Sequence, residues 1–263
     1  LKLSGQWNGV LTGKNCSFGG SVGREEATGY GAVYFCREML QEAGEDISGK
    51  RVSLSGSGNV ALFAAEKALA LGATVVSLSD SQGTAHFPKG LTADQLAAVK
   101  ELKFQKRGRL RDLEEPGVDY RDGKKPWGIE ADIAMPCATQ NEITLEDAKK
   151  VQQAGIRFVC EGANMPVDLS ATGFLRHQKI VHAPGKASNA GGVAVSGFEL
   201  SQNAMRISWS KAEVDAKLQS LMSTIHQQCL EHGKDQGSVS YIDGANRASF
   251  LRVAEALVTQ GVV

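Results

Sequence analysis

A chain of 263 residues with 42% hydrophobic content can hold one large or two small domains around a real core. Its 29 basic and 29 acidic residues cancel, which removes any global charge signal for nucleic acid or an anionic membrane surface. No apolar run approaches the roughly 18 residues of a membrane span, and no signal peptide is visible. The five cysteines (Cys16, Cys36, Cys137, Cys160, Cys229) are odd in number and widely spaced, as expected of reduced thiols in a cytoplasmic protein. There is no CxxC or HExxH pattern, so no structural metal is expected.

In chain order, residues 1–23 are glycine-rich and irregular, and 24–43 carry Tyr30, Val33 and Tyr34 at helical spacing. Gly44 and Ser48-Gly49 end that helix and lead into a β-rich run at Val52 and Leu54. Gly56, Gly58 and Ala61 follow as GxGxxA, then an Ala/Leu-rich helix to Leu71 and a second strand at Val75, Val76 and Leu78 closed by Asp80. After a loop, a helix starts near Thr92, with a capping box from Thr92 to Gln95, and runs into the basic stretch 103–111. Residues 113–128, with Pro116 and Pro126, read as a surface excursion. Strands are expected within 131–138, in RFVCEGAN and in KIVHAPG, and helices over 145–154 and 168–176. From about 188 onward the pattern is long helices without strands. Val214, Leu218, Leu221 and Ile225 form one apolar stripe, and Phe250, Val253, Ala254, Leu257 and Val258 form another, both read as helix–helix or helix–sheet packing rather than a cofactor box.

Alternating strands and helices predict an α/β fold with a doubly wound, mostly parallel, Rossmann-like sheet and added C-terminal helices. The division expected is a leading segment and helix over 1–50, a dinucleotide-binding core over 51–187, and helices over 188–263 packed on the same domain. The strand–glycine turn–helix–strand unit at 51–80 has the layout that binds a dinucleotide. Gly56 permits the tight turn. Gly58 lets backbone approach a pyrophosphate at a helix N-terminus, where free amides and the helix dipole favour anions. Ala61 keeps helix and strand close.

In open α/β sheets ligands sit beyond the C-terminal strand ends. There this sequence has GSGN with Asn59, DSQGT with Asp80 and Ser81, PCATQNE, EGANMP, and APGKASNAGGVAVSG. Asp80, 24 residues after Gly56, suits the ribose 2′-OH of NAD and would repel a 2′-phosphate. Lys103, Lys106, Arg107, Arg109 and Arg111 could instead neutralise a 2′-phosphate, with Ser81 donating a hydrogen bond. Residue types alone leave NAD and NADP open. No acid–base pair or Ser/His/Asp triad stands out in these turns.

Together the turns resemble those of hexameric bacterial-type NADP-dependent glutamate dehydrogenase, in its C-terminal half. The motifs are LTGK at 11–14, FGGS at 18–21, EATGYG at 26–31, SGSGNVA at 55–61, SDSQGT at 79–84, PCATQNE at 136–142, EGANMP at 161–166 and APGKASNAGGVAVSG at 183–197. The resemblance implies reversible oxidative deamination of L-glutamate to 2-oxoglutarate and ammonia, with NADP as cofactor. It implies that Thr28 meets the nicotinamide carboxamide and that Gly56, Ser57, Gly58 and Asn59 hold the pyrophosphate. Ser81, Lys103, Lys106 and Arg109 would surround the 2′-phosphate near Asp80, although Lys106 stands where a close relative has arginine. Ala138 and Thr139 would wall the adenosine side, and Asn164 would lie near the nicotinamide ribose. Val193 and Ser196 would contact the glutamate side chain, Ser196 at its γ-carboxylate. The family's N-terminal domain, with its catalytic lysine and aspartate and most of the contacts of a homohexamer, is expected to precede this chain, which starts at Leu rather than Met. The chain is therefore expected to be an inactive cofactor domain, with no catalytic residue of its own. The alternatives are a stand-alone NADP(H)-binding module and the cofactor domain of a leucine, phenylalanine or valine dehydrogenase. The Ser196 hydroxyl argues against the last.

Overall fold

The computed structural model describes residues 9–235 and 238–261, so residues 1–8 of the irregular leading segment lie outside the described part. The first helix, α1 (Ala27–Glu42), precedes the unit β1 (Arg51–Leu54), α2 (Asn59–Ala70) and β2 (Thr74–Asp80). Then come β3 (Gly83–His86), α3 (Ala93–Lys100) with a π-helical turn over Glu101–Gln105, β4 (Asp119–Asp122) and β5 (Ile133–Met135). The chain continues through α4 (Leu145–Gln153), β6 (Phe158–Cys160), α5 (Leu169–His177), β7 (Val181–Ala183) and a single turn, α6 (Gly185–Ser188). It closes with α7 (Gly191–Met205), α8 (Lys211–Gly233), β8 (Lys234–Asp235), β9 (Ser238–Val239) and α9 (Tyr241–Gln260).

Seven strands form one sheet in the order β4-β3-β2-β1-β5-β6-β7. The β2-β1-β5-β6-β7 part is parallel, and β3 and β4 add antiparallel neighbours. Residues along a strand alternate between faces. Val75, Ile133, Met135, Phe158 and Cys160 join the larger apolar core, which includes residues of α1, α2 and α8. Their neighbours Val76, Ala134 and Val159 join a second core with Trp127, Val151 and Leu175. Helices therefore cover both faces, as a mostly parallel sheet requires. The chain leaves β1 first towards β2 and later returns to β5 on its other side, so the order reverses at the β1/β5 ends, where such sheets bind ligands.

Three expectations need correction. The 113–128 segment is not merely a surface excursion. Asp119–Asp122 pairs with Gly83–His86, a strand hidden in the loop expected after Asp80, and Trp127 is fully buried. The C-terminal part is not strand-free, because β8 and β9 pair with each other in the connection between α8 and α9. The second apolar stripe is not packed within the chain: Phe250 is 71% exposed and Val258 84%, with Val253 and Leu257 also open. In the first stripe Val214 and Leu218 are buried, and Met222 and Cys229 continue it. The five cysteines are free thiols. Among the described residues no helix is long and apolar enough to cross a membrane.

Candidate functional site

Serines splint the glycine turn. Gly56 N donates to Ser79 Oγ at 3.0 Å, Ser79 N to Gly56 O at 3.2 Å, and Cys137 N to Ser55 Oγ at 2.9 Å. Gly56 has φ +89°, and a Cβ there would stand 2.9 Å from Cys137 O, so the turn demands glycine on both counts. Gly58 differs. It is the N-cap of α2 in extended conformation and provides no side-chain cap, and a Cβ on it would meet nothing within 4 Å. The amides opening α2 thus face open space, the arrangement that receives an anion. A Cβ on Gly29 would lie 2.6 Å from Val60 O, so α1 approaches α2 closely and sets Thr28 beside this turn.

Two adjoining cavities run along the strand ends. One, of about 790 Å3, is lined by the Gly56–Asn59 turn, Asp80 and Ser81, Lys103, Arg109 and the 123–126 segment. The other, of about 660 Å3, is lined by Arg24, Thr28, Asn164, Asn189, Val193 and Ser196, among others. They share Val60, Cys137, Ala138 and Thr139. All five strand-end turns contribute. The structure therefore brings Thr28, Gly56, Ser57, Gly58, Asn59, Asp80, Ser81, Lys103, Arg109, Ala138, Thr139, Asn164, Val193 and Ser196 to one continuous groove.

Lys106 is not brought there. It is 66% exposed on its side chain and pairs with Glu101 at 2.9 Å. Asp80 is present but already occupied: its carboxylate accepts Gln82 N and Leu110 N, each at 2.9 Å, with Lys103 Nζ 4.0 Å away. Its side chain is only 5% exposed, which leaves little of the carboxylate for a ribose hydroxyl. Arg109 Nη1 donates to Ser81 Oγ at 3.3 Å. Glu142 accepts the amides of Ala138 (3.1 Å) and Thr139 (3.4 Å) and holds that turn. Burial pushes the Glu142 carboxyl above its ordinary range despite those amides. Glu161 accepts Gly185 N at 2.6 Å and bonds His182 Nε2 at 2.8 Å, fixing the turns after β6 and β7 to each other.

At the far end of the groove Arg24 Nε donates to Ser196 Oγ at 2.9 Å, and Asn189 Nδ2 donates to Asn164 Oδ1 at 2.8 Å. Among the described residues lining this second cavity there is no carboxylate and no histidine, so it holds donors but no general acid or base. Among the described residues there is also no cluster of three or more His, Cys, Asp or Glu suited to a metal ion. Sequence reading missed Arg24, Lys124, Lys125 and Asn189. The EATGYG motif, two residues on from Arg24, was the available pointer to it. The GKKPW turn offered a pointer to the two lysines.

A family model described as Glutamate/Leucine/Phenylalanine/Valine dehydrogenase matches residues 19–261. The chain is 50% identical to the NADP-specific glutamate dehydrogenase of Haemophilus influenzae, over 99% of this chain and 59% of that protein. It is also 50% identical to the NAD(P)-specific glutamate dehydrogenase of Xylanibacter ruminicola, over 99% of this chain and 59% of that protein. A crystal structure of glutamate dehydrogenase from Plasmodium falciparum superposes with a TM-score of 0.97 at 41% identity, covering 100% of this chain and 57% of the other. The chain thus spans 59% of the length of these curated relatives. It belongs to the Glutamate/Leucine/Phenylalanine/Valine dehydrogenase family.

Proposed function

We propose, from that membership and from the groove, that this chain is the NADP-binding part of a glutamate dehydrogenase. The observation that carries the reading is the continuous groove between an uncapped helix start at Gly58 and the Arg24–Ser196 donor pair. The residues suit an extended dinucleotide. The amides of Ser57, Gly58 and Asn59 take the pyrophosphate, and Ala138 and Thr139 wall the adenosine. Ser81, Arg109 and Lys103 face the 2′-phosphate, with Asp80 held by backbone amides instead of by ribose. Lys106, turned to Glu101, acts at most at long range. Thr28 and Asn164 orient the nicotinamide end. When bound, the nicotinamide supplies the hydride acceptor for oxidation of L-glutamate to 2-oxoglutarate and ammonia.

Val193, 72% exposed, offers an apolar contact for the substrate methylenes. Ser196 and the Arg24 guanidinium supply hydroxyl and charge for a γ-carboxylate, which a leucine, phenylalanine or valine side chain does not need. We assign residues 51–187 to the nucleotide-binding unit, while α7 carries Val193 and Ser196 to the substrate end. The second cavity holds no carboxylate or histidine among the described residues, so we assign the proton transfer of the deamination to residues outside this groove. The full-length protein would supply them, in the homohexamer expected of the family. The test is to incubate the pure chain with NADP and L-glutamate. Cofactor binding without formation of reduced nicotinamide is expected. Turnover above background would refute the assignment of proton transfer to residues elsewhere.

A further inference from the structure

We propose that Lys124 is a specificity-determining residue whose ammonium grips the 2′-phosphate of NADP from the segment after β4, beside the Ser81–Gln82 turn. The inference rests on the cofactor reading above. β4 pairs antiparallel with β3, and β3 antiparallel with β2, so β4 runs parallel to β2 and its C-terminal end reaches the ligand-binding edge. The register is Asp80 opposite Gly83 opposite Asp122, which sets the residues just after β4 beside the Ser81–Gln82 turn. Two hydrogen bonds fix that placement: Gly123 N donates to Gln82 O at 2.7 Å, and Thr84 Oγ1 donates to Lys124 O at 2.6 Å. Lys124 lines the same cavity as Ser81, Lys103 and Arg109.

The neighbouring cations other than Arg109 are partly or wholly engaged. Lys103 Nζ donates to Gly108 O at 2.9 Å and faces Asp80, and Lys125 Nζ is held by Asp147 at 2.7 Å and Glu142 O at 2.6 Å. Arg111 pairs with Asp122 and Lys106 with Glu101. Among the described residues Lys124 makes no ion pair, so its charge is available to a ligand. A phosphate monoester carries about −1.5 to −2 charges near neutral pH, and of the two cations facing it the Lys103 charge is partly offset by the Asp80 carboxylate 4.0 Å away. Lys124 supplies a further cation, from a backbone already anchored to the turn that holds Ser81.

The test titrates the chain with NADPH and with NADH, for the wild type and for Lys124→Ala, Lys124→Gln and Lys124→Arg, with thermal melts to verify folding. Lys124→Ala and Lys124→Gln should weaken NADPH about five- to tenfold and NADH by less than about twofold, and Lys124→Arg should restore most of the loss. If the wild type prefers NADPH and Lys124→Ala leaves the NADPH-to-NADH ratio unchanged, Lys124 is a solvated surface charge and the proposal falls while the cofactor reading stands. Equal loss for both nucleotides also overturns it. A wild type with no preference for NADPH overturns the cofactor reading, and the proposal with it.

Discussion

Gly58→Ala separates the glycine turn as scaffold from the glycine turn as ligand cradle. Gly58 has φ −93°, which alanine adopts without strain, and its added methyl meets nothing within 4 Å. An N-cap alanine costs a few tenths to about 1 kcal/mol, and lower unfolded-state entropy returns about 0.4–1 kcal/mol. The net change in stability is therefore below about 0.5 kcal/mol, or roughly 1–2 °C in Tm for a chain of this size. Binding should behave otherwise, because the methyl projects where a pyrophosphate would approach the α2 amides. Losing one or two charge-assisted bonds of about 1.5–3 kcal/mol each predicts at least tenfold weaker NADPH. Gly56→Ala is the counterpart. At φ +89° with a Cβ 2.9 Å from Cys137 O, it should cost about 1–3 kcal/mol of fold stability and lower Tm by several degrees. Differential scanning fluorimetry and nicotinamide fluorescence titrations on both variants decide the matter. If Gly58→Ala binds NADPH like the wild type, the turn does not cradle phosphate. If it melts as low as Gly56→Ala, Gly58 serves the fold and the reasoning fails.

Replacing Lys103 and Lys106 together by alanine should weaken NADPH more than NADH, with Lys103→Ala alone accounting for the loss because Lys106 turns outward to Glu101; equal effects of the two single variants in nucleotide titrations would contradict this. Burial holds the His226 imidazole below its ordinary value of 6.5, so the folded state binds that proton less readily than the unfolded chain. Stability is then full above about pH 6.5 and falls as pH drops towards the folded value, and His226→Gln should flatten that part of a Tm–pH curve. The buried Glu199 carboxylate accepts Gly13 N at 3.0 Å and Lys14 N at 3.4 Å and pairs with Lys14 Nζ, tying the segment before α1 to α7. Glu199→Gln should cost about 1–3 kcal/mol and speed proteolysis of residues 9–23, read by mass spectrometry of the cleavage products.

The parallel half of the fold was legible because its signals are local. Val52 and Leu54, the Gly56–Gly58 turn, the Ala-rich run to Leu71 and the Val75–Leu78 strand change hydrophobic period within 30 residues. The β3–β4 pair was not legible. Each strand has four residues, DYRD alternates without an apolar face, and the partners lie more than 30 residues apart. Periodicity on α9 identified an apolar face at Phe250 and Leu257 but carried no information about what covers it. Arg24 and Ser196 meet across 172 residues, a contact that no spacing rule encodes. The basic cluster was half legible. Lys103 and Arg109 reach the groove, while the π-helical turn at Glu101–Gln105 shifts the helical phase and leaves Lys106 pointing at Glu101.

The central claim is that this groove holds NADP, and the most direct measurement is an equilibrium titration of the chain with NADPH and NADH at low salt, followed by nicotinamide fluorescence. Saturable NADPH binding that is clearly tighter than NADH binding, and that weakens with added salt, is the predicted result. Tighter NADH would return Asp80 to a ribose contact and contradict the phosphate site at Ser81 and Arg109; no binding of either nucleotide would contradict the claim that this chain carries the cofactor site.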